Sequence, residues 1–168
     1  TMTDQEIRTA QEDLASAFRS DPDTALSTVG VDASITDGLA CRVTDGTNVA
    51  QVDMPVGFGG TATGPSPGFH ARAAVASCTA IGIKSAAARA GLTLEQVNVR
   101  VEMDFDDGAI FGMGSNTAAP ISTKLLISLK SDCSDEELNT LVTEALEADP
   151  YFLALRDRQT VTSEIERF

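Results

Sequence analysis

The chain has 168 residues, 42% of them hydrophobic, which suits one domain or one protomer of an intertwined dimer and leaves too little for two independent domains. A formal net charge of −13 and a pI near 4.3 exclude nucleic acid and an anionic membrane surface as partners, since no basic face could offset that field. The sequence holds no apolar run of the roughly 18 residues that a membrane helix needs, and its three cysteines are an odd number, so a soluble, cytoplasmic protein with reduced thiols is expected.

Thr3-Asp-Gln-Glu6 has the form of a capping box, and Ile7, Ala10, Leu14 and Phe18 follow at helical spacing. This predicts a first helix over about residues 4–19, ended by Asp21-Pro-Asp23. From Leu26 to Met54 the pattern changes to short alternating runs broken at Asp37-Gly38 and Asp45-Gly46, both strong turn signals. Three strands in a meander are expected, at roughly 26–36, 39–44 and 48–54. Cys41 falls in the second of them, where a small residue is read as packing. The glycine-rich stretch from Val56 to Pro67 lacks the Lys-Ser/Thr ending of a phosphate-binding loop and is read as a loop that places the helix after it.

That next helix organises the chain. Ser66 can cap it, Pro67 suits its first turn, and Gly91 can end it in the left-handed conformation. A helix over 67–90 spans roughly 36 Å at 1.5 Å per residue, so it must cross a core. Its centre is rich in alanine, which lets other elements or a second subunit approach closely, and Cys78 sits in the middle.

Beyond the helix, Val97, Val99, Val101 and Met103 alternate with polar residues in a half-buried strand, and Asp106-Asp-Gly108 turns the chain. Residues 109–120 read as irregular, with an edge segment at 110–113, and a second strand follows over 121–129. Ser134-Asp-Glu-Glu137 is another capping box, ahead of a helix whose apolar face is Leu138, Leu141, Val142, Ala145 and Leu146. Pro150 bounds it, a helical turn is expected at 151–156, and Val161, Ser163 and Ile165 alternate as a last strand. Strand hairpins, a long helix, more strands and a second helix make the fold class α+β.

The pattern Gly-Pro-x-Pro at 64–67, followed by an alanine-rich helix carrying Ala-Ser-Cys-Thr-Ala at 76–80, resembles the central helix of the OsmC/Ohr family, the osmotically induced and organic-hydroperoxide-resistance proteins. The resemblance implies an OsmC-like fold, an intertwined homodimer in which antiparallel sheets wrap two central helices, with thiol sites near the interface. It makes residues 25–168 the OsmC-like domain and residues 1–24 an N-terminal helical extension.

It also gives Cys78 a role, as the thiol that cleaves the O–O bond of a hydrophobic hydroperoxide and becomes a sulfenic acid. In the family a second cysteine condenses with it, and an arginine and a glutamate assist. The second cysteine follows the last helix in a Cys-Pro pair, and the matching pair here is Asp149-Pro150, so the resolving thiol is absent at that position. Gly68-Phe69 stands where the family glutamate follows Pro-x-Pro. A carboxylate at 149 beside Cys78 would raise the thiol pKa and oppose the reactive thiolate.

Arg42 is the candidate activating cation, ahead of Arg72 and His70, which lie off the Cys78 face or two turns away. Cys133 precedes the helix that Asp149 follows, too far along its axis for a disulfide. No metal-ligand cluster or cofactor motif occurs. Two functions follow: a one-cysteine peroxidase recycled by an external thiol, or a non-enzymatic protein that binds a small apolar ligand at the dimer interface.

Overall fold

A computed structural model describes residues 1–167. The chain divides into two compact units, Thr1–Ala74 and Val75–Phe168. In the first unit, helix α1 (Asp4–Ser20) begins with the expected capping box: the Glu6 amide donates to Thr3 Oγ1 at 3.2 Å and the Thr3 amide to Glu6 Oε2 at 2.7 Å. No residue of α1 is buried, and Leu14 and Phe18 stay exposed. Strands β1 (Asp32–Ser34), β2 (Cys41–Thr44) and β3 (Val49–Val52) form an antiparallel meander in the order β1-β2-β3. The expected strand over 26–36 shrinks to three residues, because β2 offers partners only from Arg42 to Thr44; Leu26 and Val29 are 78% and 89% exposed.

Helix α2 (Pro67–Ala90) has the predicted bounds. Ser66 Oγ accepts the Phe69 amide at 3.3 Å with Pro67 at the first helical position. At the other end Gly91 adopts φ +71°, and the bonds Leu92 N–H to Ala87 O and Gly91 N–H to Ala88 O close a Schellman motif.

In the second unit, β4 (Gln96–Asp104) and β5 (Ser122–Lys130) pair antiparallel over their full length. Their alternation is register-matched: Val97 faces Leu129, Val99 faces Ile127 and Val101 faces Leu125, all half-buried. Against this face pack the later turns of α2 and helix α3 (Asp135–Glu147), through a core of Ile83, Ala87, Leu94, Leu141 and Ala145. The edge segment expected at 110–113 is instead a 3-10 turn over Asp107–Phe111, because Asp106 caps it by accepting the Gly108 amide and Gly112 at φ +72° ends it. A short helix α4 (Pro150–Arg156) closes the ordered elements. The last strand expected at 161–165 does not form: residues 157–167 carry no regular structure, and Val161 and Ile165 are exposed with no strand beside them. Mixed helices and antiparallel sheets make the fold α+β, as the sequence predicts.

Candidate functional site around Cys78

Cys78 lies at the middle of α2 and is half-buried. The next residue, Thr79, is 1% exposed and turns its hydroxyl to another fully enclosed polar group, donating to Asp149 Oδ2 at 2.5 Å. Asp149 is the N-cap of α4, and its Oδ1 accepts the amides of Tyr151 and Phe152, each at 3.0 Å. The sequence Ala-Asp149-Pro-Tyr builds this cap directly: the carboxylate satisfies two of the orphan amides of the first turn, and Pro150 takes the position that needs no N–H. α4 is tied back to α3 at its other end, where Arg156 forms a two-pronged contact with Glu147, 2.6 Å at the shorter bond.

The structure brings Cys78 and Asp149 together. The thiol donates to the carboxylate, and the Tyr151 amide reaches the sulfur. Burial pushes the thiol pKa above its ordinary value, the hydrogen bond to Asp149 and the carboxylate charge push it further, and the Tyr151 amide pulls the other way. For Asp149 burial alone would raise the pKa, but bonds from Thr79, the Phe152 amide, Cys78 and the Tyr151 amide outweigh it and hold the carboxyl below its usual range. The pair therefore rests as neutral thiol and buried carboxylate. Two polar groups reach the sulfur, and the one charge among the causes of its shift is the carboxylate's.

Arg42 is an exposed residue of β2, opposite Gln51 and Ser34. Cys41, its neighbour, has its thiol within 3.9 Å of the Arg42 carbonyl. Cys133 directly precedes the Ser134 cap of α3, and Asp149 follows the other end of that 13-residue helix, roughly 20 Å away along the axis. His70, in the first turn of α2, meets Phe69 edge-on. Among the described residues no group of three or more His, Cys, Asp or Glu could hold a metal ion, and no helix is long and apolar enough to cross a membrane.

Two residues escaped the sequence reading. Thr79 is one; its signal was a hydroxyl beside the cysteine, which Ser77 also supplies on the other side. Asp53, 1% exposed, is the other. Its Oδ2 accepts from the amides and hydroxyls of both Thr61 and Thr63 at 2.8–3.1 Å, and its Oδ1 from the Met54 amide. The glycine-rich loop is thus folded around a single carboxylate, held well below the usual range chiefly by the Thr63 amide and the Thr61 hydroxyl. Glycine is required where the loop lies on β3 and the residues just after it: a Cβ on Gly60 would stand 1.9 Å from the Met54 carbonyl oxygen, and one on Gly64 2.1 Å from that of Gln51. The signal was the Asp53…Thr61-x-Thr63 pattern across the glycines.

The same second unit contains a groove of about 460 Å³ between the start of β5 and α4, with Pro120, Ile121, Leu125, Phe152 and Leu155 among its walls. Its apolar side chains come in part from the helix whose first turn touches Cys78.

The family model for "OsmC-like protein" matches residues 59–164, which include α2, both strands of the second sheet, α3 and α4. Among solved structures, an OsmC-like protein from Mycoplasma pneumoniae is similar with a TM-score of 0.65 at 14% identity, covering 77% of this chain and 88% of that one. An organic hydroperoxide resistance protein OsmC from Legionella pneumophila is 25% identical, with a TM-score of 0.53 and coverage of 78% and 90%. A third, an organic hydroperoxide resistance protein from Vibrio cholerae with captopril bound in one of its active sites, is 20% identical, with a TM-score of 0.56 and coverage of 78% and 87%. No curated protein is significantly similar.

Proposed function

Because the chain belongs to the OsmC-like protein family, we propose that it is a thiol-redox protein that reduces organic hydroperoxides through Cys78 alone. The observation that carries the reading is the placement of a half-buried sulfur, mid-helix, in polar contact with Asp149 and the Tyr151 amide. In the reaction the Cys78 sulfur attacks one peroxide oxygen as the O–O bond breaks. The departing alkoxide takes a proton and leaves as the alcohol, while the sulfur, having given up two electrons, becomes a sulfenic acid. An external thiol then attacks that sulfur to form a mixed disulfide and release water, and a second equivalent attacks the reductant's sulfur, releasing Cys78 as the thiol and the reductant as its own disulfide. Asp149, in the position of the family's second cysteine, makes the first step slow by disfavouring the thiolate. Arg42 is the proposed compensating cation.

We take the acting species to be a homodimer of residues 25–168 preceded by the 1–24 extension, in the cytoplasm, where the three free thiols stay reduced. Support for the dimer is the apolar surface one chain leaves in water: Ile81, in the middle of α2, is 66% exposed and Phe111 68%. The Legionella pneumophila and Vibrio cholerae proteins, named for organic hydroperoxide resistance, support the substrate class.

A second reading is favoured by the groove walled by Ile121, Phe152 and Leu155 together with the raised thiol pKa: a non-enzymatic protein that holds a small apolar ligand, with Cys78 idle. Consumption of cumene hydroperoxide in the presence of a dithiol, by the parent chain and by Cys78→Ser, separates the two. Peroxide loss that depends on Cys78 is the expected result. Equal loss with both proteins, or none with either, ends the enzymatic reading and leaves ligand binding.

A further inference from the structure

We infer that oxidation of Cys78 stops at the sulfenic acid, and that the Asp149 carboxylate, clamped by Thr79, is the group that stops it. This rests on the reading of Cys78 as a peroxide-reactive thiol and specifies what that thiol becomes. A sulfenic acid has two ordinary fates: a neighbouring thiol displaces its oxygen as water to form a disulfide, or the sulfenate sulfur attacks a second peroxide, giving up two more electrons and yielding a sulfinic acid.

The first fate requires a thiol at the sulfur. The side chain found there is Asp149, which forms no S–S bond, and Cys133 stands beyond the far end of α3 from Asp149. The second fate requires loss of the sulfenic proton. A sulfenic O–H formed at this sulfur meets an anionic acceptor already within hydrogen-bond reach. That acceptor cannot swing away: Oδ2 holds the Thr79 hydroxyl at 2.5 Å, Oδ1 holds two amides at 3.0 Å, and the whole side chain is 3% exposed. Ionising the sulfenic acid would set a second negative charge against an enclosed first one, and the carboxylate opposes it as it opposes the thiolate. The oxidised protein therefore waits for a small external thiol, which forms a mixed disulfide and releases water.

The test treats the full chain with excess cumene hydroperoxide without thiol, samples into dimedone at intervals, and reads the Cys78 peptide by mass spectrometry. A persistent dimedone adduct with little sulfinic acid is expected. Sulfinic acid accumulating as the adduct disappears, or a disulfide to Cys41 or Cys133, overturns the inference while leaving peroxide reactivity intact. Cys78 unmodified by peroxide overturns both the inference and the reading beneath it. In Asp149→Asn the ratio of sulfinic to sulfenic product should rise severalfold, since the charge that opposes ionisation is gone. Should that variant not fold, Asp149→Ser, which removes the charge and keeps a hydroxyl to cap α4, should raise the ratio in the same direction. A parental ratio in Asp149→Asn, or in Asp149→Ser where Asp149→Asn does not fold, overturns the inference.

Discussion

Thr79→Val removes one hydroxyl and little volume, so it isolates the bond from Thr79 to Asp149. Both residues are enclosed, and they join positions 70 apart in sequence, α2 to the cap of α4, through a 2.5 Å bond to an ionised acceptor. Hydrogen bonds to charged groups contribute about 1.5–3 kcal/mol, so a loss of about 2 kcal/mol is expected, the remaining amide and thiol donors keeping Asp149 from being fully orphaned. For a chain of this size that corresponds to a fall of roughly 4–8 °C in Tm. Urea unfolding of parent, Thr79→Val and Thr79→Ser at matched protein concentration measures it, with serine recovering most of the loss. The sign with pH follows from the depressed Asp149 pKa. Stability from this carboxylate is fully present above its unfolded value of about 3.9 and is lost as pH falls through the lower folded value, so the gap between parent and valine variant should close below about pH 4. A difference under about 0.5 kcal/mol at neutral pH, or a gap that widens in acid, would refute the assigned bond.

Alkylation of Cys78 followed against pH, with Cys41 and Cys133 replaced by serine, should give a midpoint above the ordinary thiol value of about 8.5, and Asp149→Asn should lower it; coincident profiles would remove Asp149 from the electrostatics of the sulfur. Gly64→Ala should cost at least about 3 kcal/mol, since its Cβ would meet the Gln51 backbone, which cannot yield, and thermal melting that shows no change would mean the loop does not lie on β3. Ile81→Lys should leave the stability of a lone chain within about 0.5 kcal/mol, because the side chain already faces water, yet shift sedimentation from dimer to monomer; an unmoved dimer would place the interface elsewhere.

Elements specified by neighbouring residues were legible from the sequence. The limits of α2 followed from Ser66-Pro67 and Gly91, and both capping boxes formed as written, because caps join residues a few positions apart. β4 and β5 could be read because each alternates over nine residues and the two supply each other's partner. Leu26–Val31 and 161–165 carry strand-like alternation without a partner strand, and a strand exists only where another lies alongside. The turn at Asp106-Asp-Gly108 was legible, but the edge segment at 110–113 gave way to a 3-10 turn because Asp106 and Gly112 outweighed the β propensity of Ile110 and Phe111. At the site, Cys78 stood out by position, but nothing local in the sequence joins it to residue 149; that pairing came through the family pattern. Thr79 stayed hidden because a threonine beside a cysteine looks like packing until its acceptor, 70 residues on, is placed against it.

The carboxylate of Asp53 is clasped by neutral amides and hydroxyls, with no cation among the causes of its acidity. Dissolved ions weaken attractions between opposite charges, and this clasp contains none to weaken. On a molecule whose formal net charge is −13, and which so responds strongly to ionic strength, the segment leading into α2 should keep its shape in dilute buffer and in brine alike.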